Sequence, residues 1–230
     1  MSKFGLTALA LAGGAILSVS IANADTITIT GGESPTFPPA FTILDSGSSP
    51  LVLPETPCCG ASDSFEVSGT ATGTPPLPDG DFDTDTIAMN LMGPGTLFLW
   101  FNETGLTSPT GTIAVTSGLT SNLIEGDISS VTLITALDPT NGVSPPLGTV
   151  LDSATFSAIG TQSSTSTIAT GAGPYSLQEV YEIVATGAGT ANLTIDLATT
   201  AVATPEPASL AFVGAAFAGL VLLRQRRKAN

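Results

Sequence analysis

The chain has 230 residues, with 19 acidic residues, 5 basic residues, no histidine and a formal net charge of −14 at pH 7. No Lys or Arg occurs from Phe4 to Leu223, so this part of the chain has no fixed cation for phosphate and no basic patch for nucleic acid. The lack of histidine excludes Ser-His-Asp triads, Cys-His pairs and histidine-metal sites.

The N-terminal residues have the pattern of a secretory signal peptide. A basic residue precedes an apolar run at 6–17, and the small residues Ala22 and Ala24 then form a cleavage pattern before Asp25. We therefore predict a signal peptide over 1–24. Export of this kind implies the Sec translocon and signal peptidase as partners.

Residues 25–204 are predicted to form one secreted all-β domain. Apolar residues alternate with polar ones in 26–30, 87–91 and 193–197, and Gly- and Pro-rich turns separate such segments. Further candidate strands occupy 64–68, 96–101, 111–116, 129–135, 153–159, 164–169 and 176–185. About nine or ten short strands favour an antiparallel β-sandwich, and a closed barrel is the alternative. Residues 31–63 are less periodic and are predicted to be a long irregular lead-in.

The two cysteines of the chain, Cys58 and Cys59, are adjacent. An oxidising compartment favours disulfides, and neighbouring cysteines can pair only in a strained ring. A vicinal disulfide, an intermolecular bridge and two free thiols all stay open.

Four acids alternate just after a Pro-rich turn: Asp79, Asp81, Asp83 and Asp85. Close carboxylates repel each other, and Ca²⁺ would relieve the repulsion through oxygen ligands. A solvated acidic turn is the simpler interpretation. Calcium is therefore an alternative hypothesis, and no other cofactor is predicted.

Two single residues, Trp100 and Glu179, are candidates for a binding or catalytic role. Trp100 could stack on a sugar ring, but it lies in a dense apolar run, which favours the core. Glu179 shares its parity with Tyr181, so an unbroken strand would direct it into the core. A buried carboxylate with a raised pKa can act as a general acid, but nothing nearby fixes a second carboxylate for catalysis.

The C-terminal residues predict a membrane helix over 208–223. At about 1.5 Å per residue it is shorter than a roughly 30 Å hydrocarbon core, and flanking basic residues can absorb the difference. A basic cluster follows this run, and its members are Arg224, Arg226, Arg227 and Lys228. Because such clusters stay cytoplasmic, the domain is expected on the other side of the inner membrane.

Pro205, Glu206 and Pro207 stand just before this apolar run. The order of Pro-Glu-Pro, short apolar helix and Arg-rich end, over 204–228, resembles the PEP-CTERM sorting signal of Gram-negative bacteria. The resemblance implies recognition by an exosortase, which would cleave near the Pro-Glu-Pro motif within a sorting segment spanning 205–230. It also implies release of the domain to the cell envelope, outer surface or extracellular matrix, in proteins associated with exopolysaccharide production.

These features predict an exported structural protein of the cell surface or matrix, without catalytic activity. The alternative is a module that binds extracellular polysaccharide, with calcium as a candidate cofactor. An exposed aromatic platform or a closed cage of carboxylates would favour the alternative.

Overall fold

The computed structural model describes residues 26–33, 41–58, 65–143 and 147–202. Ten β-strands account for most of these residues, and every strand pair is antiparallel. The strands are β1 (Thr26–Gly32), β2 (Phe41–Ser48), β3 (Leu51–Cys58), β4 (Phe65–Thr72), β5 (Phe82–Leu91), β6 (Gly95–Leu106), β7 (Thr112–Asp138), β8 (Thr149–Phe156), β9 (Gly160–Ala169) and β10 (Tyr175–Ala201). The predicted all-β antiparallel class is confirmed.

Two long strands, β7 and β10, connect two halves of one folded ladder. They pair with each other along most of their length. The 175–185 part of β10 also pairs with β6, whereas its 189–197 part pairs with β5. In the same way, the 131–137 part of β7 pairs with β8 and its 112–121 part pairs with β9. The first sheet is therefore β2-β1-β6-β10-β7-β8, and the second is β3-β4-β5-β10-β7-β9.

Both long strands bend where they pass from one sheet to the other. The register between them shifts between Ala185 and Gly189, opposite Gly126. Gly126 has a φ of 75°, and a Cβ there would lie 2.5 Å from the carbonyl oxygen of Ala188. Glycine is required at this position because the backbones approach so closely and because φ is positive.

The inner faces of the two sheets enclose one hydrophobic core. Period-two alternation places Ile27 and Leu99 of the first sheet inside, together with Ile87 and Leu193 of the second. Each buried aliphatic side chain contributes about 1.5–3 kcal/mol by leaving water. The core is closed on one flank by the β2–β3 connection and on the other by the β8–β9 connection, so the sandwich approaches a flattened barrel.

The structure corrects the predicted strand boundaries in the N-terminal part of the domain. The irregular lead-in predicted over 31–63 is wrong, because β2 and β3 lie within it. β3 contains Pro54 and Pro57, and prolines are tolerated in a strand at a sheet edge, where no ladder hydrogen bond is lost.

Other strands are longer than predicted. The segments 111–116 (apart from residue 111) and 129–135 are parts of the single strand β7, and 176–185 and 193–197 are parts of β10. Polar and glycine residues at the bends interrupted the alternation, although the hydrogen-bond ladder continues past them.

No helix among the described residues has the length and the apolar character to cross a membrane. The predicted signal peptide over 1–24 and the predicted helix over 208–223 lie outside these residues.

Candidate functional site

A carboxyl group lies in the core of the sandwich. Glu179 of β10 is 0% exposed, as its parity with Tyr181 predicted. The hydroxyl of Thr84, on the second sheet, donates a hydrogen bond to Glu179 Oε2 at 2.5 Å, and the hydroxyl of Tyr181 contacts the same threonine. These three residues form the Glu179 cluster.

Burial raises the pKa of Glu179 well above its usual value, and the hydrogen bond from Thr84 only partly offsets this effect. The charges of Asp83, Asp196 and Glu103 raise the pKa further. Glu179 Oε1 has no hydrogen-bond partner among the described residues. Apart from the Thr84 hydrogen bond, these conditions favour the neutral acid.

The same cluster affects the phenol of Tyr181. Burial raises its pKa well above the usual value, and the charge of Glu179 adds to the increase. Phe101 of β6 packs edge-on against the Tyr181 ring, with centroids 5.4 Å apart. The cluster is therefore a buried polar contact that joins the two sheets, closed to a substrate in this conformation.

A second buried acid, Glu103 of β6, was missed in the sequence. It is 0% exposed, and its Oε1 accepts a hydrogen bond of 2.5 Å from the backbone N–H of Thr74. A Cβ on Gly73 would lie 2.1 Å from the same oxygen, so glycine lets this turn approach the carboxyl. Glu103 shares parity with the buried Leu99 and Phe101, and this signal could have identified it.

The four alternating acids do not act as one unit. Asp81 Oδ1 accepts a hydrogen bond of 2.9 Å from the N–H of Thr199, whereas Asp79 is bonded to the same threonine through its backbone oxygen, at 3.3 Å. Asp83 pairs with Asp196 of β10, and Asp85 pairs with a threonine of β4. Among the described residues, no group of three or more acid, cysteine or histidine side chains is arranged to hold a metal ion. Calcium binding stays a prediction.

Partial burial raises the pKa values of three acids at or near the β5–β10 pair. The pKa of Asp83 is raised to about 6, first by burial and then by the charge of Asp196. Burial also raises the pKa of Asp196, with a further contribution from Asp85. Burial raises the pKa of Asp81, opposed by the hydrogen bond from Thr199. The spacing of acids in the sequence did not predict that Asp196 lies beside Asp83.

Trp100 is 3% exposed, which confirms the interpretation that it is buried. It stacks on Phe98 with ring centroids 5.4 Å apart, and it lies between Thr30 of β1 and Val180 of β10. Because the side chain is almost fully buried, the indole presents no stacking surface for a sugar in this conformation.

Cys58, the last residue of β3, is 2% exposed and disulfide-bonded. The only other cysteine of the chain is Cys59, which lies outside the described residues, so the vicinal pairing stays a prediction. The remaining predicted site residues also lie outside them: Ala22, Ala24, Asp25, Pro205, Glu206, Pro207, Arg224, Arg226, Arg227 and Lys228.

A match to a known family covers the residues that follow β10 in the chain. Residues 203–228 match the family described as the PEP-CTERM protein-sorting motif. The chain carries a PEP-CTERM sorting motif. The resemblance found at Pro205-Glu206-Pro207 is thereby confirmed, and the motif implies export, anchoring in the membrane for sorting, and processing by an exosortase.

No curated protein matches the chain. Among solved structures, the adhesin domain of Epf from Streptococcus pyogenes is similar at a TM-score of 0.37 and 11% identity, over 78% of this chain and 60% of that one. The carbohydrate-binding module TmCBM61, solved with β-1,4-galactotriose, gives a TM-score of 0.31 and 14% identity over 59% and 88% of the two chains. The mannan-recognising module TmCBM27 gives 0.27 and 11% over 66% and 88%. At such scores these similarities carry no argument about the function of this protein.

Proposed function

We propose that this PEP-CTERM protein is an exported structural protein of the cell surface or extracellular matrix, sorted by an exosortase and without catalytic activity. The observation that carries the proposal is the sorting motif at 203–228, placed directly after a folded all-β domain. After export, the helix predicted over 208–223 would hold the chain transiently in the inner membrane, with the domain in the periplasm.

The sorting motif follows β10 in the sequence, so cleavage at the motif is compatible with an intact folded domain. The last ladder pair of β10 joins Ala201 to Ile113, and the N–H of Val202 donates to the Thr112 oxygen at 3.0 Å. A cut near Pro205 would therefore remove no residue of the described sandwich. The released domain would keep its full hydrogen-bond ladder.

The proposal gives no catalytic role to Glu179. Its carboxyl is 0% exposed, and one oxygen is occupied by the Thr84 hydroxyl. A general acid must come within hydrogen-bond reach of its substrate, so catalysis would require the two sheets to separate.

The test is to replace Pro205, Glu206 and Pro207 by alanine in the full chain, in a host that has an exosortase. The variant is expected to stay in the membrane fraction and to be larger than the processed protein by about the mass of the tail. Thr204→Ala, just outside the tripeptide, is the matched control and should be processed normally. Equal mass and equal membrane fraction for wild type and the triple variant would refute exosortase sorting.

A second candidate function, binding of extracellular polysaccharide, is favoured by the outer face of the second sheet. There Asn122 Nδ2 donates to Asn192 Oδ1 at 3.1 Å and to Thr194 Oγ1 at 3.0 Å. Exposed amides and hydroxyls of this kind can hydrogen-bond sugar hydroxyls. Affinity electrophoresis in gels that contain exopolysaccharide should then retard the full chain, and Asn122→Ala should restore its mobility.

The matched control for this second candidate is Thr132→Ala, on the first sheet. The gels are run with calcium and with a chelator, which tests a calcium-dependent form of binding. Equal mobility in the presence and absence of polysaccharide would remove this candidate.

A further inference from the structure

Four strands lie at the edges of the two sheets. β2 and β8 are the edges of the first sheet, and β3 and β9 are the edges of the second. An edge strand has a row of backbone groups that can pair with another chain. Proteins usually prevent this pairing with charges, prolines or bulges on the edge.

Three of these edges carry such protection. β3 contains Pro54, Glu55 and Pro57, and its ladder with β4 shifts register. β8 contains Asp152, and its ladder with β7 also shifts. β2 contains Asp45, and its ladder with β1 shifts as well. These charges, prolines and irregularities oppose the addition of another strand.

β9 has none of these three features. Its ten residues contain no charge and no proline, and they pair with β7 without a register shift. The sequence has no charged residue between Asp152 and Glu179, so the neutral strip extends beyond both ends of the strand. Most of the β9 side chains are exposed. Within the described part of the chain, β9 is thus the edge best suited to strand addition.

We propose that β9 pairs in an antiparallel manner with β9 of a second copy of this chain, about a twofold axis. The pairing would continue the second sheet from one molecule into the other, as an isologous interface. The proposal rests on the sheet edge alone and does not depend on the sorting route.

Charge limits where a second copy can approach. Every charged residue from Phe4 to Leu223 is acidic, so two copies repel each other over most of their surfaces. β9 itself contains no charged residue, and the carboxylate nearest to it in the hydrogen-bond network, that of Asp152 in β8, accepts a hydrogen bond of 2.9 Å from Gln162. Two copies would therefore approach at the lowest electrostatic cost along β9. A basic partner would instead be attracted to the acidic parts of the molecule.

The side chains of β9 are also complementary to themselves. Within the chain, the hydroxyls of Thr116 and Thr165 lie 3.1 Å apart across the β7–β9 pair, and Thr132 and Thr155 make the same 3.1 Å contact across β7–β8. Two β9 strands would place Ser and Thr residues opposite each other in the same way. Ile159, 72% exposed just before β9, would gain an apolar contact at the end of the other copy's strand.

The experiment is sedimentation of the full chain in mild detergent, over about a hundredfold range of concentration, since association depends on concentration. The wild type should change from monomer to dimer. Thr165→Glu, which places two carboxylates close to the twofold axis, should stay monomeric. Val52→Glu is the matched control, because Val52 is 61% exposed on the opposite edge of the same sheet, and this variant should dimerise normally.

Amide hydrogen exchange of the wild type gives a second measurement that needs no variant to fold. The outward amides of β9 should become protected as the concentration rises, whereas those of β3 should not. A wild type that stays monomeric overturns the proposal. Dimers of Thr165→Glu, with exchange in β9 independent of concentration, also overturn it and point to association through another part of the chain, such as 208–223.

Discussion

The hydroxyl oxygens of Ser117 and Thr135 lie 2.8 Å apart in the core, although both residues belong to β7 and are 18 positions apart in sequence. The contact is made because β7 passes from the second sheet to the first, so that its two halves face each other. A single strand thus supplies both sides of a buried polar contact.

This contact gives a prediction on stability. Ser117→Ala should lower the free energy of unfolding by about 1–3 kcal/mol, because the Thr135 hydroxyl loses its partner inside the core. The double variant Ser117→Ala/Thr135→Val should lose less than the sum of the two single changes, because both polar groups are then absent. Denaturant unfolding of the purified protein measures each value.

The control for this cycle is Thr116→Ala, which removes an exposed hydroxyl next to Ser117. Its effect should stay within about 0.5 kcal/mol, because the contact that its hydroxyl makes with Thr165 is exposed to water. Strictly additive losses in the double variant would contradict a direct Ser117–Thr135 interaction.

Asp83 gives a prediction on pH dependence. Its pKa in the folded protein is raised from 3.8 to about 6, so the folded state binds the proton more tightly than the unfolded state. The contribution of Asp83 to stability is therefore complete below pH 3.8 and is lost as the pH rises through 6. Asp83→Asn should flatten the fall in unfolding free energy across this window.

Glu55→Gln is the control for Asp83→Asn, since it removes an exposed acid of β3. Denaturant unfolding of both variants at a series of pH values makes the comparison. If Asp83→Asn and the wild type lose stability in parallel over this window, the raised pKa of Asp83 is wrong.

The ionisation of Glu179 should also lower the free energy of unfolding, at a higher pH than the ionisation of Asp83. Its folded-state pKa is well above 4.5, so the stability it contributes in acid is lost as the pH rises through the folded-state value. Glu179→Gln keeps the size of the side chain and an acceptor for Thr84, but it cannot ionise. The variant should match the wild type in acid and exceed its stability at alkaline pH.

Thermal unfolding at acidic and alkaline pH tests the Glu179 prediction. Glu182→Gln, three positions along the same strand and only partly buried, is the control and should follow the wild type. A Glu179→Gln variant that is less stable than the wild type at alkaline pH would show that the ionised carboxylate is stabilising.

Salt should stabilise the acidic domain. Because the chain has no base from Phe4 to Leu223, NaCl should raise the melting temperature by screening the repulsion between acids. If the acids are only solvated, CaCl₂ at equal ionic strength should have the same effect. A calcium site would add a further shift at millimolar concentration or below, which Asp81→Asn/Asp83→Asn should remove. Thermal unfolding in matched salts distinguishes the two cases.

Alternation in the sequence was sufficient to predict the fold class and the direction of Glu179. It works because the side-chain period of a strand does not depend on its partners. The same parity applied to Leu99 and Phe101 would have identified Glu103 as a buried acid. The direction of the side chains along a single strand can therefore be predicted without a structure.

The pairing between distant strands could not be predicted from the sequence. The Asp83–Asp196 pair depends on the register of β5 against β10, and the Thr84–Glu179 hydrogen bond depends on how the two sheets face each other. Neither relation follows from the spacing of residues in the chain. β3 was not predicted because its prolines interrupt the period-two pattern. Such a pattern does not distinguish an edge strand from an irregular segment.

The place of β10 in the ladder has a consequence for the order of events during biosynthesis. β10 is the partner of β5, β6 and β7, yet it follows all nine other strands in the chain. The centre of both sheets therefore cannot close until residues near Ala201 have left the ribosome, and contacts so distant in sequence form slowly. A chain that folds late remains threadable through a narrow translocation channel. In this protein, the strand that completes the fold directly precedes the motif that directs its sorting.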